Sequence, residues 1–318
     1  MKIVALDGYL VGVGGLDWSS LSDLGEFVYH DMTTADDDIA ARIGDADVIL
    51  TNRCPISAET IAKCPNLKLI HSFGTGYNQI ALEEASARGI VVTNTPGYGR
   101  GAVAQMAIAL LFAIVRKVDI FDHYVKTTGW RQPIDPDICA IRQFELTGKT
   151  IGIVGMGDIG YAVARVAMAL DMNVLAYRRT PQPELECGQL RFCSMDELLE
   201  KSDIVSLHCP LTDQTRGLID AAAIEKMKPG VIVINTARGA VVDEDAMIAA
   251  LDSGKVYAFG TDVFCAEPCG DSPIAHHPRC VATPHVAWMP EETRARVIQI
   301  SADNIKAFQQ GRRHNVVN

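Results

Sequence analysis

Continuous apolar runs recur along the chain at 3–6, 47–50, 67–71, 90–93, 151–154, 174–177, 204–207, 231–235, 258–263 and 281–283. Runs this short, bounded by Gly, Pro, Asn or Asp, read as buried strands, and 26–30 adds a further candidate. Between them apolar residues return at helical spacing over 36–43, 57–64, 83–88, 195–201, 221–227, 243–253 and 291–310. Ser57 and Ser194 are natural N-caps, Pro65 lies beyond the helix that Ser57 opens, and Gly89 and Gly311 mark helix ends. Strands alternating with helices imply parallel sheets covered on both faces.

The pattern changes after 93. Pro96-Gly97-Tyr98-Gly99 punctuates the chain,. A long helix is expected over about 101–126. Its first half is apolar on more than one face, so it must be buried between domains or between subunits. The segment 129–143, with Trp130, Pro133 and Pro136 and little periodicity, reads as a surface loop,.

The stretch 149–180 holds the strongest local signal. Ile151, Ile153 and Val154 lead into Gly155-Met156-Gly157-Asp158-Ile159-Gly160, and Ala162, Val163, Val166, Ala167 and Leu170 follow at helical spacing. Strand, glycine turn, helix and strand form the dinucleotide fingerprint in its required context. Gly155 suits the tight turn, Gly157 lets backbone N–H groups approach a pyrophosphate, and Gly160 lets helix and strand lie close. The next strand ends in Tyr177-Arg178-Arg179-Thr180, with no carboxylate for the ribose hydroxyls. Two guanidinium groups and a hydroxyl suit a 2′-phosphate, so NADP(H) is favoured, with NAD(H) the alternative. The expected fold class is α/β, with two Rossmann-like doubly wound parallel-sheet domains. The dinucleotide-binding domain, 98–290, is inserted into an outer substrate domain made of 1–97 and 291–318.

Composition narrows the function. Of 318 residues, 48% are hydrophobic and 21% charged, an ordinary globular balance,. The net charge of −10 disfavours nucleic acid or an anionic membrane surface as a partner,. Met1-Lys2-Ile3-Val4 leads directly into a strand pattern rather than a secretory leader,. The apolar stretch at 103–115 is too short for a bilayer and carries Gln105,. The odd count of nine cysteines at scattered spacings argues against a disulfide framework, and a cytoplasmic location is expected,. Cys265, Cys269, His276 and His277 match no zinc spacing, so no metal centre is expected.

Ligands in open α/β sheets sit at the carboxyl ends of strands. Polar groups stand there at His208-Cys209, Arg238, Asp262 with Glu267, and His285. Hydride transfer to a 2-oxo acid needs a cation for the carboxylate and the carbonyl oxygen, a proton donor, and a partner that fixes the donor's tautomer. Arg238, His285 and Glu267 fit those three roles.

The segments TIGIVGMGDIG, SDIVSLHCPLT, MKPGVIVINTARGAVVDEDA, AFGTDVFCAEP and VATPHVAW, with HSFGTGYNQI and NTPGYGRGAVAQ, resemble the D-isomer-specific 2-hydroxyacid dehydrogenase family over nearly the whole length. The resemblance implies that Arg238 binds the substrate carboxylate and carbonyl, that His285 is the acid/base, and that Glu267 is its partner. It implies that Thr75 and Gly76 help hold the carboxylate. It places Val103, Asp158, Ile159, His208, Cys209, Pro210, Thr236, Ala237 and Asp262 along the cofactor, beside the glycines and with Arg238 and His285 at the reacting end. A homodimer through the region of the 101–126 helix is also implied. Gly76-Tyr77-Asn78 and Pro96-Gly97-Tyr98 are similar to the glycerate dehydrogenase (hydroxypyruvate and glyoxylate reductase) branch, whose substrates are small 2-oxo acids. D-lactate or phosphoglycerate dehydrogenases, and dinucleotide-sensing corepressors of this fold, are the alternatives.

Overall fold

The computed structural model describes residues 1–131 and 135–318. The chain forms two compact units, Met1–Gly99 with Trp288–Asn318, and Arg100–Ala287. The joins expected at 97/98 and 290/291 lie within a few residues of these limits.

In the first unit the apolar runs become strands β1 (Lys2–Ala5), β2 (Glu26–Tyr29), β3 (Val48–Thr51), β4 (Leu69–Ser72) and β5 (Val91–Thr93). They pair in parallel in the order β2-β1-β3-β4-β5. Side chains alternate between two cores. Ile3, Ala5, Val48, Leu50 and Leu69 pack with Trp288, Val297, Ile298 and Ile305. Val4, Ile49, Ile70 and Val92 pack with Ile39, Ile43 and Ile61 on the other face. Both faces are covered, which is why these runs are continuously apolar. The Glu291–Gln309 helix belongs to this unit, and Val316 forms an antiparallel bridge to Thr93.

The second unit holds β6 (Thr150–Val154), β7 (Asn173–Tyr177), β8 (Leu190–Phe192), β9 (Ile204–Leu207), β10 (Val231–Asn235), β11 (Val256–Thr261) and β12 (Cys280–Ala282). The order is β12-β11-β10-β9-β6-β7-β8, with every pairing parallel. Chain order reverses beside β6, which opens a crevice at its carboxyl end. β8 has no counterpart in the apolar pattern. It is a three-residue edge strand, too short to carry a period.

Two expectations change in this unit. The long helix is two helices, Arg100–Arg116 and Val118–Thr128, bent by 54° at Lys117, which takes φ +50°. The first buries Ala104, Ala107, Leu110, Leu111, Ile114 and Val115, whereas the second buries none of its residues. The core therefore holds one helix and releases the other. Within 129–143, Pro136–Cys139 forms one helical turn, with the Asp135 carboxylate accepting from the Asp137 N–H at 3.0 Å. Pro133 lies outside the described residues. No single helix among the described residues is long and apolar enough to cross a membrane.

A buried histidine ties the first unit together. His71, at 0% exposure in β4, sets its Nδ1 2.9 Å from Thr93 Oγ1 and its Nε2 2.8 Å from Ser301 Oγ. Asn304 Nδ2 donates to the Asn94 carbonyl at 2.9 Å and also faces His71 Nδ1 at 3.3 Å. A donor opposite Nδ1 suits a neutral ring whose proton sits on Nε2. Burial pushes the imidazole down to about 3 from 6.5. Between those values the unfolded chain binds a proton that the folded chain does not, so stability rises with pH and is lost as pH falls. Full protonation is worth on the order of 5 kcal/mol. Between pH 6.5 and 5, above most carboxylate titration, the loss of stability to urea with falling pH is expected to be steeper in the wild type than in His71→Asn. Equal pH slopes in the two proteins would contradict this.

Candidate active site

Six strands of the second unit bring their carboxyl ends to one edge in the order β12, β11, β10, β9, β6, β7. The groups expected from the sequence stand along it in that spatial order. They are His285 after β12, Asp262 after β11, Arg238 after β10, His208 after β9, the glycine turn after β6 and Arg178 after β7.

The glycine turn is shaped by close contact. Gly155 takes φ +98°, and a Cβ there would stand 2.6 Å from the Cys209 backbone nitrogen. A Cβ on Gly160 would stand 2.3 Å from the Gly155 carbonyl oxygen, so the Asp158–Ala169 helix lies directly against the turn. No atom lies within 4 Å of the corresponding point at Gly157. The first N–H groups of that helix have no acceptor within the helix, and a pyrophosphate is favoured at such an end. Asp158 is exposed and Ile159 half-buried on the same first turn.

Beyond β7, Arg178 is half-buried, and Arg179 and Thr180 are exposed. Neither arginine has an ion pair or a side-chain hydrogen bond among the described residues, so both forks are available to an anion. At the end of β9, His208 Nε2 lies 2.8 Å from Ser206 Oγ, while its buried Nδ1 has no partner among the described residues. Burial lowers this imidazole to about 4, which keeps it neutral near pH 7,. Cys209 is buried beside it and Pro210 is exposed. Thr236 Oγ1, after β10, is a second buried polar atom without a partner among the described residues. Unpaired buried polar atoms ask for a ligand or an ordered water. With the open turn at Gly157, this edge has the chemistry of a dinucleotide site. Val103 lies half-buried on the Arg100–Arg116 helix.

Arg238 is exposed, and its loop is set from below. Asn235, fully buried at the end of β10, accepts from the Ala237 N–H and donates to the Arg238 carbonyl, each at 3.0 Å. Arg238 Nη1 donates to the Ala237 carbonyl at 2.7 Å. A Cβ on Gly239 would stand 1.9 Å from the Phe264 carbonyl carbon, so the loop carrying Arg238 touches the loop carrying Glu267 backbone to backbone. Glu267 Oε1 accepts from the Phe264 N–H at 3.0 Å. Its Oε2 lies 2.5 Å from His285 Nδ1. A carboxylate only accepts, so this pair puts the imidazole proton on Nδ1 and leaves Nε2 free to exchange a proton with a ligand.

His285 adopts φ +55°, which costs a non-glycine residue roughly 1 kcal/mol or more,. Asp262 offsets that cost. Its buried carboxylate accepts from Thr283 Oγ1 at 2.5 Å and from the Val286 and Ala287 N–H groups at 2.9 Å each. Expected along the cofactor, Asp262 has both oxygens engaged with the His285 loop. Asn235 and Gly239 were not singled out in the sequence. Their only local signals are a polar residue closing an apolar strand and a glycine after Arg238.

Thr75 and Gly76 belong to the first unit, after β4. Thr75 Oγ1 donates to the Thr95 carbonyl at 3.1 Å, and its own carbonyl accepts from Asn94 Nδ2 at 2.8 Å. Ser72 Oγ donates to the Gly76 carbonyl at 2.6 Å. The loop is thus fixed through its carbonyls.

Residues 108–287 match the model of the D-isomer specific 2-hydroxyacid dehydrogenase, NAD binding domain. A hydroxypyruvate reductase of Blautia hydrogenotrophica is 43% identical, with all of both chains covered. A glyoxylate reductase of Korarchaeum cryptofilum is 39% identical over 86% of this chain and 82% of its own. A crystal structure of a Thermus thermophilus protein superposes with a TM-score of 0.87 at 33% identity, covering all of both chains.

The glycine contacts give a paired expectation for thermal unfolding. Gly239→Ala forces two backbones apart and should destabilise by about 1–3 kcal/mol, lowering Tm by several degrees. Gly157→Ala enters open space at φ −96° and should leave Tm nearly unchanged. Equal Tm values for the two variants would contradict this packing.

Proposed function

We propose, from the premise that the chain belongs to the D-isomer specific 2-hydroxyacid dehydrogenase family, that it is an NAD(P)H-dependent reductase of small 2-oxo acids of the hydroxypyruvate and glyoxylate type, forming the D-2-hydroxy acid. The observation that carries this reading is the Glu267–His285 pair at the same strand edge as Arg238 and the open glycine turn. When bound, the dihydronicotinamide supplies the hydride that reduces the 2-oxo carbon. Arg238 binds the substrate carboxylate and stabilises charge developing on the carbonyl oxygen. The imidazolium form of His285, protonated on both nitrogens, gives that oxygen its Nε2 proton, and Glu267 holds the resulting neutral ring in orientation through the remaining Nδ1–H.

Gly155, Gly157, Gly160, Asp158 and Ile159 hold the pyrophosphate end of the cofactor in this reading. Val103, His208, Cys209, Pro210, Thr236 and Ala237 line the remainder, and Asp262 holds the His285 loop. Arg178, Arg179 and Thr180 take the 2′-phosphate, which makes NADPH the preferred donor. The unpaired guanidinium groups support that preference. A homodimer through the region of the Arg100–Arg116 and Val118–Thr128 helices is part of the proposal. The exposed apolar side chains Phe112, Val118, Ile120, Val125 and Trp130 cluster in that stretch,. The nine free cysteines fit a reducing cytoplasm,.

A dinucleotide-sensing module without turnover is the rival of a different class. It has no need of the Glu267–His285 contact. Oxidation of NADPH followed with hydroxypyruvate, glyoxylate, pyruvate and 3-phosphohydroxypyruvate separates the readings, and absence of turnover with all four would reject the enzyme. His285→Ala should lower kcat by about 10²–10⁴-fold with cofactor affinity nearly intact. Wild-type turnover in that variant would remove His285 from its assigned role. Arg178→Ala should lower kcat/KM for NADPH by about tenfold or more while sparing NADH, the loss expected for one charge-assisted bond. An equal effect on both cofactors would contradict 2′-phosphate recognition.

A further inference from the structure

At the opposite, amino-terminal edge of the seven-stranded sheet, a cavity of about 330 Å³ opens beside the starts of β10, β11 and β12. Lys117, Arg142 and Arg279 line it, and no aspartate or glutamate does. Tyr257 forms part of its wall and meets Phe144 edge-on, with ring centroids 4.7 Å apart. The Arg142 guanidinium stacks 4.6 Å from the Phe144 ring and 5.6 Å from the Tyr257 ring. Lys117, whose backbone is left-handed at the helix bend, has its Nζ 6.0 Å from the Tyr257 ring centre. Arg279 is steadied by a 3.0 Å bond from Nη1 to the Leu251 carbonyl. Among the described residues none of the three cations has a carboxylate partner.

In a chain of net charge −10, a solvated surface would intersperse acids with such cations,. Here three repelling charges share one concavity, and two of them are ordered on aromatic faces. An anion relieves that repulsion. Arg forks and a Lys point charge match phosphate oxygens. The volume sits at the low end of small-ligand pockets, too small for a dinucleotide. We infer that this cavity is a second anion site, for a small phosphate-bearing ligand, separate from the dinucleotide edge. Strands β10 and β11 hold five and six residues. At about 3.3 Å per residue they set the two edges roughly 16–20 Å apart.

The test is calorimetric titration of the protein saturated with NADPH, so that the cofactor's own phosphate sites are filled. Inorganic phosphate and glycerol 3-phosphate are the probes, at ionic strength fixed with chloride. Binding is expected in the wild type. It should weaken at least tenfold in Lys117→Gln/Arg142→Gln/Arg279→Gln, with the affinity for NADPH unchanged. The single variant Arg142→Glu, at an exposed position, should weaken it in the same direction and serves if the triple variant does not fold. Tighter binding of the ester supports the site with an organic phosphate as its ligand, and equal binding supports it with free phosphate. No binding in the presence of saturating cofactor, or wild-type affinity in these variants, would overturn the inference.

Discussion

The buried carboxylate of Asp262 is the constraint on which the rest of the edge depends. A charge without solvent must be met by donors, and the nearest are the Thr283 hydroxyl and two N–H groups of the 283–287 loop,. Meeting that demand folds the loop back over the end of β11 and holds His285 in a left-handed conformation. Only then does its Nδ1 come within 2.5 Å of Glu267. Asp262 thus acts on the chemistry through the residue it positions. Its cost in desolvation and the strain at His285 are two sides of one arrangement, as expected where geometry is held for function.

Neighbouring loops are locked to this one by glycines that leave no room for a side chain. Gly239 lets the Arg238 loop press against Phe264, whose N–H in turn fixes Glu267. Gly160 seats the nucleotide-side helix on the turn at Gly155, which itself abuts Cys209. The arginine loop and the loop of the carboxylate partner therefore meet backbone to backbone, as the pyrophosphate turn does with its own helix and with Cys209.

Much of this is legible in the sequence, because the informative signals are local. A strand end is visible as the polar residue closing an apolar run, which is how His208, Arg238, Asp262 and His285 stand out. The glycine turn is visible because its three roles fall within six residues. What is not legible depends on residues far apart in the chain. Asn235 and Gly239 matter only through what packs above them. The burial of His71 needs Ser301 and Asn304 from the terminal helix. The helix break at Lys117 reflects which half of an apolar stretch the core accepts. The basic cavity gathers residues 117, 142 and 279, which no spacing rule connects.

Everything proposed for the chemistry requires that His285 be held through Nδ1 with Nε2 left open toward the reacting edge. Long-range ¹H–¹⁵N spectra of the imidazole, recorded near neutral pH with cofactor bound, read the tautomer directly. A protonated, pyrrole-type Nδ1 and an unprotonated, pyridine-type Nε2 are expected for the neutral ring, with the pattern lost in Glu267→Gln. A ring protonated on Nε2, or one whose pattern is indifferent to Glu267, would contradict that requirement.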